Sequence, residues 1–139
     1  MKKRILIIDE NINEYKSSIN VLENEYEVDA VGYMQTADYK LEGNSYDLIV
    51  LDIMMPPFEL YSLEETSDGL KTGFVYYEDK LKSGNTPVLF WSWNSDFEKE
   101  IGDKKENNDE WKKTEFLLKE IDDDRLLKGI NHFFETFTN

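Results

Sequence analysis

Five side chains able to do chemistry stand where short apolar runs end. Asp9 and Glu10 follow Arg4-Ile5-Leu6-Ile7-Ile8, Asp52 follows Leu48-Ile49-Val50-Leu51, Ser92 follows Val88-Leu89-Phe90-Trp91, and Lys119 follows Thr114-Glu115-Phe116-Leu117-Leu118. A carboxylate at the carboxyl end of a buried strand faces the crevice where open α/β sheets bind ligands. After Asp52, Pro56 and Pro57 force the chain into a loop. If these strand ends share one edge, three carboxylates meet, and they cannot all stay ionised without a counter-ion. Hard oxygen ligands favour a small divalent cation such as magnesium, which usually shares its coordination with phosphate. Phosphoryl chemistry is the natural expectation, and Asp52 is a competent nucleophile for it, forming an aspartyl phosphate.

The elements that must position these groups are legible in the hydropathy pattern. Leu48 to Leu51 is unbroken aliphatic sequence with two β-branched residues, the pattern of a strand buried on both faces of a parallel sheet. Arg4–Ile8 reads the same way, and Pro87 opens a further strand through Ser92 at a position where a missing N–H is tolerated. Tyr26 to Val31 alternates and suits a sheet edge, while residues 114–118 form a short last strand. Between the strands, Ile12, Tyr15, Ile19 and Leu22 predict a helix over residues 11–23. Thr36 is placed to cap a helix that Gly43 stops. Leu70, Phe74, Tyr77 and Leu81 predict a third, slightly weakened by Gly73. Residues 94–113 are expected to hold one solvated helix and a loose loop, anchored by Phe97, Ile101 and Trp111. Leu126, Leu127, Ile130, Phe133, Phe134 and Phe137 share one face of the last helix, with Asp122 to Asp124 suiting its dipole. Strands alternating with helices under right-handed crossovers predict a doubly wound parallel sheet, and in the order 2-1-3-4-5 the first and third strands are neighbours.

Composition narrows the function classes. A chain of 139 residues suits one domain, with no appended output domain expected. Its formal net charge of −14 repels phosphate backbones and anionic lipid, so neither nucleic acid nor membrane is an expected partner. The absence of cysteine excludes disulfides, thiolate catalysis and zinc–sulfur sites. No apolar run approaches a membrane span or a signal-peptide core, and a cytoplasmic location is the default expectation. His132 is the only histidine and stands in the last helix, so no histidine-based catalysis can be assembled around it.

Taken in order, these residues resemble the receiver domain of two-component response regulators, the CheY-like superfamily. The acidic pair after the first strand resembles Ile7-Ile8-Asp9-Glu10, and the phosphoacceptor motif resembles Asp47-Leu48-Ile49-Val50-Leu51-Asp52-Ile53-Met54-Met55-Pro56. A hydroxyl five positions beyond a proline is similar to Pro87 and Ser92, and the family's lysine with its switch aromatic three residues earlier is similar to Lys119 and Phe116. The resemblance covers nearly the whole chain and implies a flavodoxin-like doubly wound five-stranded parallel sheet, with helices on both faces, forming a single receiver domain over residues 1–139.

It also implies a mechanism. Asp52 would accept a phosphoryl group from a histidine kinase or phosphotransfer protein, with magnesium held by Asp9 or Glu10, Asp52 and the main-chain carbonyl of Met54. Lys119 and Ser92 would neutralise and hydrogen-bond the phosphoryl oxygens. Ser92 moving toward the phosphate would let Phe116 refill its space and reshape the face of the fourth helix, fifth strand and fifth helix. Receivers often dock a downstream protein or a second copy through that face. On this reading the chain is a signalling domain and not an enzyme, beyond self-catalysed phosphotransfer and autodephosphorylation.

Four departures from the family pattern stand in this sequence: Trp93 where a small residue is usual, Glu10 for aspartate, Glu120 for proline, and a long connection over residues 53–68. Within that connection Glu59, Glu64 and Glu65 are placed to cover the site or compete for its cation. They motivate the alternative of a pseudo-receiver, a protein-interaction module that works without phosphorylation. A magnesium-dependent phosphohydrolase is the third reading, and it is disfavoured because Met54 stands where such enzymes need a second acid. Trp91, Trp93 and Trp111 are expected to pack and not to bind.

Overall fold

The computed structural model describes residues 1–137. Five strands, β1 (Arg4–Ile8), β2 (Glu27–Val31), β3 (Leu48–Asp52), β4 (Val88–Ser92) and β5 (Thr114–Leu118), form one parallel sheet in the order β2-β1-β3-β4-β5. The helices are α1 (Lys16–Glu23), α2 (Met34–Gly43), α3 (Thr72–Tyr76, continued by a π turn over Tyr77–Leu81), α4 (Asp96–Asn107) and α5 (Arg125–Phe137). They lie on both faces, as the alternation of strand and helix predicts.

Within the fully buried strands, the two-residue period decides which layer each side chain enters. Leu6, Ile8, Ile49, Leu51, Val88 and Phe90 pack with Met34 and Ala37 of α2, Phe74 of α3 and Phe97 of α4. Ile5, Ile7, Leu48, Val50, Leu89 and Trp91 pack instead with Leu22 of α1 and with Leu126, Ile130 and Phe133 of α5. An uninterrupted aliphatic run is therefore two half-cores interleaved.

Several element boundaries differ from the periodicity reading. The first turn of the expected 11–23 helix is a 3-10 turn over Ile12–Tyr15. Tyr26 is not in β2; its N–H closes α1 by donating to the Leu22 carbonyl. Helix α2 starts at Met34, before Thr36, because burial of Met34 and Ala37 in its first turn outweighs a side-chain cap. Leu70 is 51% exposed, lying in the turn before α3, and Thr72 and Gly73 are buried in its place. The expected loose loop after α4 is a 3-10 turn, Asp109–Trp111, with Trp111 fully buried and its Nε1 donating to Glu78.

Gly73 departs most from expectation. A Cβ there would press on the Asp52 carbonyl and lie 2.8 Å from the Cα of Ile53. Its N–H donates to the Ile53 carbonyl at 2.9 Å. Glycine is needed because α3 starts hard against the end of β3, so the residue that costs helix propensity seats Asp52.

Candidate functional site

The first and third strands pair directly, Ile8 opposite Leu51, which brings the acids following β1 beside the end of β3. Asp52 is opposite Trp91 and Ser92 opposite Leu118, so the next residues, on adjacent strands, reach the same edge. Lys119 Nζ lies 2.7 Å from Asp9 Oδ2 and 3.5 Å from Asp52 Oδ1. Asp9, Asp52, Ser92 and Lys119 thus converge from four strand ends.

All four are buried, at 0%, 4%, 1% and 3% exposure respectively. Each has partners. Asp9 Oδ1 accepts from the Asn11 N–H at 2.8 Å, and Asp52 Oδ1 accepts from the Ile53 N–H at 2.8 Å. Ser92 Oγ accepts from the Asn94 N–H at 3.2 Å, and the Lys119 N–H donates to the Ser92 carbonyl at 2.8 Å. The Lys119 ammonium lies 4.8 Å from the ring centroids of both Tyr15 and Trp91, so two π faces attract it.

Charge in this cluster is unbalanced. Burial, and then the Asp9 charge, pushes Asp52 up to about 7, with Lys119 and the Ile53 N–H acting in the opposite direction. For Lys119, burial favours loss of the proton, but Asp52 and Asp9 outweigh it and raise its pKa. Glu10 is raised as well, by burial and by Asp9. One ammonium serves two buried carboxylates, which is the chemistry of a place for a further small hard cation.

The remaining expected site residues are placed differently. Glu10 is exposed, and among the described residues Asp9, Glu10 and Asp52 do not close into a group of three metal-binding side chains. Met54, 40% exposed, lines the mouth of a cavity of about 220 Å3 together with Asn11, Glu14, Tyr15, Asp52, Ser92, Trp93 and Lys119. Phe116 is half-buried, in register with Phe90, two residues short of the sheet edge. It lines a separate groove of about 340 Å3 with Glu98 of α4 and with Arg125, Lys128 and Phe133 of α5.

Glu59, Glu64 and Glu65 do not line the cleft. The long connection is clasped by Met55 N–H to the Gly69 carbonyl and by Thr72 Oγ1 to the Met55 carbonyl, and Ser62 and Glu65 cap each other's N–H groups at 2.9 and 3.0 Å. That reciprocal pair follows the S-x-x-E rule and turns Glu65 inward on its own loop. Tyr15 is the site residue that the sequence pattern does not reveal, and Trp93, expected to pack, is instead 54% exposed and lines the cavity. Tyr15 belongs to the apolar stripe of the 11–23 helix, and its one distinguishing signal is to be that stripe's only hydroxyl, six residues after a strand-end acid.

No family model matches the chain, and no curated protein matches it in sequence. Solved structures do match. The Francisella response regulator 1452 receiver domain is 20% identical over 96% of this chain and 98% of its own, with a TM-score of 0.62. A two-component response regulator from Clostridium difficile is 21% identical over 99% of this chain and all of its own, with a TM-score of 0.65. This chain has the receiver-domain fold. Response regulator TrrA of Thermotoga maritima, in complex with Mg2+ and BeF, is 21% identical over 94% of this chain and 98% of its own, with a TM-score of 0.57. The flavodoxin-like strand order is common to the receiver fold, and no helix among the described residues is long and apolar enough to cross a membrane.

Proposed function

We infer that residues 1–139 act as one receiver unit in which Asp52 accepts a phosphoryl group from a phosphohistidine of a kinase or phosphotransfer protein. The observation that carries this reading is the single lysine, Lys119, held 2.7 Å from Asp9 and 3.5 Å from Asp52 at the carboxyl edge of a receiver-fold sheet. In the transfer, an Asp52 carboxylate oxygen attacks phosphorus as the N–P bond breaks. The imidazole, protonated beforehand on its other ring nitrogen, takes the N–P electron pair and leaves neutral, and the phosphoryl charge passes to the Asp52 side. Lys119 Nζ is close enough to shift from Asp52 to a phosphoryl oxygen, and the Ser92 hydroxyl, on the adjacent strand, is free to donate once its O–H turns toward the cleft. Magnesium, when bound, neutralises phosphoryl oxygens; Asp9, Glu10, Asp52 and the Met54 carbonyl are the groups that would hold it.

The groove lined by Phe116, between α4 and α5, is the face through which the modified state would engage a downstream protein or a second copy, with Ser92 and Phe116 as the switch. The protein then works in the cytoplasm as a signalling domain, with no catalysis beyond its own phosphorylation and dephosphorylation. Incubation with magnesium and a small phosphodonor, followed by intact mass, tests this. One phosphoryl adduct on wild type and none on Asp52→Ala is expected; no adduct on either wild type or Trp93→Ala, which clears a side chain from the cavity lining, overturns the reading. The near-complete burial of Asp52 and Ser92 favours a second reading, a pseudo-receiver that docks partners without turning over.

A further inference from the structure

Asp52, Ser92 and Lys119 are at most 4% exposed, yet they line an open cavity, and two aromatic residues, Tyr15 and Trp93, line it with them. Trp93 Nε1 donates to the Tyr15 hydroxyl at 2.9 Å, joining the chain just beyond β4 to the turn after β1. The two ends of this bridge differ in character. Tyr15 is half-buried, its ring 4.8 Å from that of Trp91 and 4.8 Å from the Lys119 ammonium, so it is fixed by the core. Trp93 is 54% exposed and belongs to neither core layer.

We propose that Tyr15 and Trp93 form a gate over Asp52, Tyr15 as the post and Trp93 as the leaf, which limits both entry of small phosphodonors and entry of the water that hydrolyses the aspartyl phosphate. This rests on the phosphoacceptor reading for its consequence, but the gate itself is a statement about access to Asp52. In the hydrolysis, water oxygen attacks phosphorus, the bond from phosphorus to the Asp52 oxygen breaks, Asp52 leaves as carboxylate and inorganic phosphate carries off the water's oxygen and its two protons. A closed gate excludes that water. A protein donor supplies its own surface to displace Trp93, whereas a small donor must wait for the gate to open.

Two variants separate the gate from packing. Tyr15→Phe keeps the ring on Lys119 and removes only the acceptor of the bridge, and losing one ordinary hydrogen bond raises the open fraction roughly 5-fold. Trp93→Ala removes the exposed leaf, with a larger effect. Access is read without phosphorylation by the rate at which a water-soluble carbodiimide with an amine nucleophile labels the Asp52 peptide, relative to the exposed carboxylates on α4 as internal reference. Labelling at Asp52 alone should accelerate in both variants, and the phosphoryl adduct should hydrolyse faster in the same order. Unchanged Asp52 labelling in both folded variants, checked by circular dichroism, overturns the gate. If neither wild type nor Trp93→Ala takes a phosphoryl group, the phosphoacceptor reading fails while the labelling result still decides the gate.

Discussion

Burial and the neighbouring Asp9 carboxylate push Asp52 from the ordinary 3.8 up to about 7, so the folded chain holds that proton more tightly than the unfolded chain does. The stabilisation this gives is fully present below pH 3.8 and is lost as pH rises through about 7. Glu10, also raised, adds to the same slope. In buffer free of divalent cations, the unfolding midpoint is therefore expected to fall between about pH 5 and about pH 8. Asp52→Asn, which cannot ionise, should flatten this part of the profile and unfold at a higher temperature than wild type at the alkaline end. Thermal unfolding followed by circular dichroism measures it, and an Asn variant with the wild-type slope would mean that Asp52 ionises like an ordinary carboxylate. The same charge deficit is of the kind that a bound cation would relieve, because Lys119 only partly offsets the repulsion.

At the scale of elements, α3 and β3 meet where backbone approaches backbone. Helix propensity alone makes Gly73→Ala a gain of about 1 kcal/mol. Contact decides otherwise, because a methyl group would press on the Asp52 carbonyl and lie 2.8 Å from the Ile53 Cα, and neither is the movable end of a side chain. Overpacking of this kind costs about 1–3 kcal/mol, so the variant should be destabilised by about 2 kcal/mol in urea unfolding. A stabilised Gly73→Ala would show that α3 can slide away from β3. The helix continues into a π turn in which the Lys82 N–H reaches the Tyr77 carbonyl at 2.8 Å, and Lys113 closes its end by donating to the carbonyls of Leu81, Lys82 and Gly84. A lysine over the last carbonyls suits the negative end of a helix dipole.

For the whole molecule, charge is the dominant property. A net −14 on 139 residues repels itself at low ionic strength, and salt screens that repulsion within a Debye length of about 10 Å at 0.1 M. Screening also weakens surface pairs such as Arg4–Glu27 and Arg125–Glu120, but exposed pairs contribute under about 1 kcal/mol each. Repulsion should win, and the unfolding midpoint should rise by several degrees between low salt and roughly 0.5 M sodium chloride, where the Debye length is only a few Å. A midpoint that falls with salt would assign more of the stability to the surface pairs.

The strands, their order along the chain and the residues at their ends were determined locally: unbroken aliphatic runs can only be buried on both faces, and a parallel sheet aligns their carboxyl ends whatever lies between. That is why Asp9, Asp52, Ser92 and Lys119 stand out in the sequence alone. Helix starts were less legible, as at Thr36 and Leu70, because burial of one neighbour decides them against the capping or periodic signal. What only the tertiary structure decided is everything that depends on approach between segments distant in sequence. The ring of Tyr15 over Lys119, the bridge from Trp93 to Tyr15, the turning of Glu65 onto its own loop and the space denied to a side chain at Gly73 are contacts of this kind. Periodicity reports which face of an element is buried; it carries no distance to the residue that arrives there from another strand.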